Sequence, residues 1–205
     1  DARYNATNPY AATKAGAEQI ANAYANCYGL PMLITNTMNV FGERAGTEKF
    51  LPIVMRKVLL GEEVVIHADP SRAIPGSRYY VHARNVSAAI LHLLRGDLNA
   101  ATGIGKVATR FNVVGEREVD NLSLAQMIAR IIGRDLRYKL VDFHSSRPGH
   151  DLRYALDATK LFATGYRHPV NFEESLERTV RWTLKRPYWL NLKAGQLLQK
   201  KDWEK

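Results

Sequence analysis

Apolar residues recur along this chain first at helical spacing, then in short continuous runs, and the switches between the two mark alternating helices and strands. The first helical stretch is rich in small residues: Ala11, Ala12, Ala15, Gly16, Ala17, Ala21, Ala23 and Ala25. Pro9 suits its first position, Asn8 or Thr7 can cap it, and Gly29 followed by Pro31 ends it, which predicts a helix of about five turns. Met32 to Thr35 follows as a short apolar run of the kind buried in a parallel sheet. Beyond it the pattern predicts a helix from Phe50 to Leu60 closed by Gly61, a strand from Val64 to His67 and another from Arg78 to His82. A helix from Val86 to Leu94 would turn Ile90, Leu93 and Leu94 inward, and Arg110 to Val114 reads as a strand. Ser123 caps a predicted helix ending at Gly133, Leu136 to Phe143 forms a strand, and Asn171 with Glu174 opens a helix to about Arg186, stopped by Pro187. The chain is therefore read as α/β, with no internal repeat, low-complexity linker or clean domain boundary.

Composition narrows the function classes. The 205 residues, 46% apolar, suffice for a real core, and no apolar run approaches the roughly 20 residues that span a membrane. Cys27 is the one cysteine, so no intramolecular disulfide forms and the chain fits a reducing, cytoplasmic compartment; its place in the Ala-rich helix suggests a small packing residue. The formal charge of +9 raises a nucleic-acid reading, but lysines and arginines are dispersed and only Lys200-Lys201 clusters. A basic surface that attracts a nucleotide diphosphate explains the charge without nucleic acid. The six histidines show no ligand spacing, so no metal site is expected.

The candidate chemistry begins at Asn8-Pro9-Tyr10-Ala11-Ala12-Thr13-Lys14. Residues four apart share a helix face, and a positive charge beside a phenol favours the phenolate, which can take a proton from a sugar hydroxyl. Asn36-Thr37-Met38-Asn39-Val40-Phe41-Gly42 puts polar residues at the carboxyl end of a strand, where open α/β sheets place ligands. In the loop from His144 to Asp151, Arg147 offers a planar fork suited to phosphate, and Pro148-Gly149 allows a tight turn that brings His150 alongside. Thr102-Gly103-Ile104-Gly105-Lys106 lacks the spacing of a phosphate loop and reads as a turn. No glycine-rich strand-to-helix turn precedes Tyr10, so the dinucleotide-binding half is expected to be absent from this chain, which by itself should bind NAD negligibly.

In order, these motifs carry a family resemblance. Asn8 to Lys14, Tyr28-Gly29-Leu30-Pro31, Thr35-Asn36 with Asn39 and Gly42, Glu48-Lys49-Phe50-Leu51-Pro52, and Arg147-Pro148-Gly149-His150-Asp151 with Arg153-Tyr154 follow the sequence of nucleotide-sugar enzymes. From about residue 8 to about 190 the chain resembles the C-terminal part of an extended short-chain dehydrogenase/reductase of the NAD-dependent epimerase/dehydratase family, most closely its dTDP-glucose 4,6-dehydratase branch.

The resemblance implies the C-terminal part of a Rossmann-like doubly wound parallel sheet with an interwoven smaller α/β substrate lobe, mainly within 43–78 and 110–190. It implies tightly bound NAD and a nucleotide-diphosphate sugar as substrate. Tyr10, assisted by Lys14, would deprotonate the sugar 4-hydroxyl as hydride passes to NAD, before water leaves C5 and C6 and hydride returns to C6. Tyr10, Lys14 and Val40 would meet the nicotinamide end of the cofactor; Asn39, Lys49, Phe50, Val65, His67, Asn112, Arg147 and His150 would surround the nucleotide-sugar. Arg72 and Arg78 both stand as phosphate contacts, and His67 at a position often aromatic leaves the nucleotide open. A 4-epimerase or decarboxylase, or a non-catalytic nucleotide-sugar-binding or assembly subunit, are the alternatives. The helix from 9 to 28 implies a homodimer, with neither a membrane nor a nucleic-acid partner.

Overall fold

A computed structural model describes residues 5–96, 108–143 and 151–192. Helix α1 (Pro9–Tyr28) begins where Asn8, in extended backbone, accepts a hydrogen bond from the Ala11 amide at 2.9 Å, and it ends at Gly29 in the left-handed region, φ 63°. Strand β1 (Leu33–Thr37) follows, then β2 (Val40–Phe41), α2 (Phe50–Leu60) closed by left-handed Gly61, and β3 (Val64–Ala68). Next come β4 (Ser77–Arg78), β5 (Val81–His82), α3 (Ala83–Arg95), β6 (Thr109–Val113), β7 (Val119–Asp120), α4 (Asn121–Ile132) and β8 (Tyr138–Asp142). Strand β9 (Arg153–Tyr154), α5 (Thr159–Ala163), α6 (Phe172–Leu184) and a 3-10 turn (Pro187–Leu190) complete the described elements.

Parallel pairing dominates. Strand β1 pairs with β6, β2 with β5 and β3 with β8, all parallel, while β4 lies between antiparallel β7 and parallel β9. One core cluster, including Val54, Met55, Ile66, Leu124, Ile128 and Leu176, fills the space among α2, β3, α4 and α6; a second, including Met38, Val81, Val113 and Leu161, lies against β1, β5, β6 and α3. Each fully buried Leu or Ile of this kind contributes about 1.5–3 kcal/mol.

Several expectations need correction. The run from Arg78 to His82 is two strands, because Arg78 pairs with β7 and β9 whereas Val81 pairs with β2, and Tyr80 between them turns inward to donate to the Asn121 Oδ1 at 2.6 Å. Burial pushes the Tyr80 phenol well above its usual range. In α3, Leu93 is buried as expected but Ile90 and Leu94 are exposed. The inward line is Asn85, Ala89 and Leu93, each four residues on, and Asn85 keeps its place by donating to the Val170 carbonyl at 2.9 Å. The cap of α4 is Asp120, whose side chain accepts from the Ser123 amide at 2.8 Å, so Ser123 lies inside the first turn. Asn171 caps α6 as expected, but the helix ends at Leu184 and Pro187 opens the 3-10 turn. Cys27 is exposed on α1, a helix whose one buried residue is Ala25, so it does not act as packing.

Candidate active site

Helix α1 runs antiparallel to β6, and two contacts set its level. Asn22 accepts from the Ala108 amide at 3.1 Å, and Glu18 pairs with Arg110. Four helical residues rise about 6 Å and two strand residues about 6.6 Å, so the two elements advance in step. Continuing the match brings Lys14 level with Asn112 and carries Tyr10 past the carboxyl end of β6. Tyr10 is 70% exposed and Lys14 is exposed, so both side chains are open to a ligand at that end. The start of α1 is fixed by Asn8 and by Thr13, whose hydroxyl donates to the Tyr10 carbonyl at 2.8 Å.

The same end gathers further predicted residues. Asn36 stands opposite Asn112 in the β1–β6 register. Met38, buried to 1%, is tied by its amide to the Val113 carbonyl at 2.9 Å, and the next two residues, Asn39 and Val40, emerge exposed. Val40 lies against Val81 of β5, and the Asn39 carbonyl accepts from the Val81 amide at 3.0 Å. Asn112 donates its side-chain amide to the Asp157 carbonyl at 2.7 Å, which joins β6 to the turn before α5. Asn39, Val40 and Asn112 thus lie at or just beyond the carboxyl ends of the parallel β1–β6 pair, the usual place for a ligand in an open α/β sheet, and α1 runs toward that end with Lys14 and Tyr10 on its first turns.

The remaining predicted residues stand on other elements. Lys49 is the cap residue of α2, without a side-chain capping bond, and pairs with Glu48 at 3.3 Å; Phe50 begins the helix and packs against the larger core. Val65 and His67 share the outward face of β3, since Val64, Ile66 and Ala68 alternate inward, and the His67 ring meets Phe143 edge-on at 5.6 Å. Arg72 is exposed in a turn closed by Asp69, which accepts from the Ala73 and Ile74 amides at 2.8 Å. Hydrogen bonds from Ile74 and Ser71, outweighing a small cost of burial, hold the Asp69 carboxyl at about 2. Arg78 donates to the carbonyls of Ser77 at 2.6 Å, Leu152 at 2.5 Å and Asp151 at 2.6 Å. Arg147 and His150 themselves lie outside the described residues.

The sequence reading missed an ionic cluster. Glu43 sits 3.3 Å from His82, 3.5 Å from Arg84 and 3.1 Å from Arg178. Burial raises the Glu43 carboxyl, but its own backbone hydrogen bond and these three neighbours more than offset that and hold it below its usual value. Burial pushes the His82 imidazole down, against the pull of Glu43. Separations of 39 to 135 residues left no local signal for this grouping. Among the described residues no cluster of His, Cys, Asp or Glu could hold a metal ion, and no helix is long and apolar enough to cross a membrane.

Comparison with known proteins bears on this geometry. The family model described as GDP-mannose 4,6 dehydratase matches residues 1–179. The trifunctional UDP-glucose 4,6-dehydratase/UDP-4-keto-6-deoxy-D-glucose 3,5-epimerase/UDP-4-keto-L-rhamnose-reductase of Arabidopsis thaliana is 33% identical over 94% of this chain and 27% of its own length. The dTDP-glucose 4,6-dehydratase of Haemophilus influenzae is 30% identical, covering 88% of this chain and 53% of that enzyme. The crystal structure of a dTDP-glucose 4,6-dehydratase from Streptomyces venezuelae with NAD bound superposes with a TM-score of 0.75 at 31% identity, over 91% of this chain and 54% of that one. The chain therefore spans about half the length of these single-function dehydratases, and its fold is Rossmann-like α/β.

Proposed function

Because the chain belongs to the GDP-mannose 4,6-dehydratase family, we propose that it carries the acid/base and sugar-binding side of an NAD-dependent 4,6-dehydratase. Its substrate is dTDP-glucose or a related NDP-hexose, and the product is a 4-keto-6-deoxy sugar. The observation that carries this reading is the exposed Tyr10, one turn from Lys14, at the start of a helix whose contacts at Asn22–Ala108 and Glu18–Arg110 direct it toward the carboxyl end of β6.

Tyr10 takes the proton of the sugar 4-hydroxyl, with the Lys14 ammonium one turn away on the same helix face. Because Tyr10 and Lys14 lie on the first turns of a capped helix, their spacing is held without help from the substrate. Exposed Val40, just beyond the carboxyl end of β1, offers an apolar surface, so the residue types present fit a nicotinamide-ribose, which Tyr10, Lys14 and Val40 would hold. NAD, when bound, supplies the hydride acceptor. Asn39, Lys49, Phe50, Val65, His67 and Asn112 surround the nucleotide-sugar, and Arg147 with His150 meets its diphosphate. Of the two candidate arginines, Arg78 is favoured, because it bonds the Asp151 carbonyl, next in sequence to His150. The substrate lobe falls mainly within 43–78 and 110–190, and the single exposed cysteine suits a cytoplasmic setting.

The diphosphate assignment has a direct test. Replacing Arg147 by alanine in the natural full-length protein is expected to weaken binding of free nucleoside diphosphate by about 1.5–3 kcal/mol, the range for hydrogen bonds to charged groups. Calorimetric titration with dTDP and with UDP reads this; unchanged affinity for both removes Arg147 from the phosphate site.

The second partner is another copy of the protein. Helix α1 exposes Ile20 at 61%, Tyr24 at 50% and Tyr28 at 69% alongside its small residues, a surface that a symmetric copy can bury. A homodimer through α1 is expected, and Ala17→Arg or Ala21→Arg should shift the mass in light scattering toward monomer. A parent protein that is monomeric at micromolar concentration contradicts it.

A further inference from the structure

Asn39, Lys49 and Phe50 belong to one stretch between the end of β1 and the start of α2, and most of that stretch has no regular structure to hold it. Its midpoint is Glu43, whose side chain is only 17% exposed. Three elements converge on this carboxylate: His82 at the end of β5 from one oxygen, and Arg84 in the first turn of α3 and Arg178 in the middle of α6 from the other. The His82 ring is buried, and its Nδ1 accepts from the Arg84 amide at 3.2 Å. The ring proton must therefore lie on Nε2, which stands 3.3 Å from Glu43 Oε2, within ion-pair distance but without the alignment of a hydrogen bond. Gly42 just before it is closely packed, since a Cβ there would lie 3.3 Å from the Ala83 Cβ. Arg44 just after it adopts a left-handed φ of 67° and places its guanidinium 5.8 Å from the Trp182 ring.

We infer that Glu43 is a positioning residue: through His82, Arg84 and Arg178 it pins the stretch from Asn39 to Phe50, and so sets Lys49 and Phe50 where the nucleotide-sugar meets them. The inference rests on the reading of Lys49 and Phe50 as sugar-nucleotide contacts. Removing the carboxylate leaves the Arg84 and Arg178 guanidinium groups facing each other without the charge that holds them together, so the stretch is expected to loosen while Tyr10 and Lys14, on α1, keep their places.

The test uses the natural full-length protein and two readouts. In Glu43→Ala, amide hydrogen exchange across residues 44–49 should quicken by about tenfold or more, and KM for the nucleotide-sugar should rise about tenfold with kcat within about threefold. Glu43→Gln, which keeps the shape and an oxygen to accept from Arg178, should recover part of both, and it carries the test if the alanine variant does not fold. Glu177→Gln, which removes an exposed pair with Arg181, should change neither. Exchange within twofold of the parent overturns the inference whatever the enzyme does, and faster exchange with unchanged KM overturns it while leaving the functional reading intact. A parent protein that turns over no nucleotide-sugar overturns both.

Discussion

Replacing Tyr10 by phenylalanine is expected to lower kcat by about 10²–10⁴-fold, the usual contribution of a positioned proton-transfer group, with nucleotide-sugar affinity within a few fold of the parent. The ring and its place on α1 are retained, and only the phenolic oxygen is lost. Since Tyr10 is 70% exposed, its hydroxyl supports no internal packing, and thermal stability should not change. Turnover within a few fold of the parent would remove Tyr10 from the chemistry and leave Lys14 without a partner to act on.

A comparable effect on stability is expected at Gly115. A Cβ built there collides with the Tyr80 carbonyl, whose carbon would lie 2.7 Å away and whose neighbour, the Tyr79 carbonyl carbon, 3.3 Å away. Both obstacles are backbone, and Tyr80 is held by the Asn121 bond and by burial, so neither can move cheaply. Gly115→Ala should cost about 3 kcal/mol or more, at the upper end for overpacking. Gly16 is the contrast: in the single chain no atom lies within 4 Å of its built Cβ, and it sits inside α1, so Gly16→Ala in the Ala21→Arg background, where α1 is left uncovered, should stabilise by about 0.5–1 kcal/mol. Denaturant midpoints of the two variants check both signs; a Gly115→Ala variant as stable as its parent contradicts the packing at β4–β5.

Elements bounded by local chemistry were legible in the sequence. Helix α1 begins and ends where Asn8, Pro9 and Gly29 require, α2 runs between Phe50 and Gly61, and Asn171 caps α6 through Glu174, because caps and left-handed glycines act within one turn. The errors arise where partners are distant. A strand-like run such as 78–82 gives no sign that its two ends join different sheets, and an asparagine such as Asn85 looks solvent-facing until Val170, 85 residues away, meets it. Asp120 and Ser123 are both capping residues by type, and the backbone of β7 decides between them.

The candidate site divides in the same way. Tyr10 and Lys14 were readable because their relation is one helical turn. Their alignment with Asn112 depends on Glu18–Arg110 and Asn22–Ala108, contacts that no spacing rule encodes. The grouping around Glu43 lay beyond reach for that reason, with its four charged or titratable residues spread over 135 positions.

The central claim is that Tyr10 and Lys14 serve a 4,6-dehydratase that uses NAD. The most direct measurement is incubation of the natural full-length protein with NAD and, separately, dTDP-glucose, UDP-glucose and GDP-mannose, with mass spectrometry of the nucleotide-sugars. The account predicts loss of one water from one of them, giving a 4-keto-6-deoxy product that is absent with Tyr10→Phe. An isomer of unchanged mass, as a 4-epimerase would yield, or no conversion of any of the three, would contradict it.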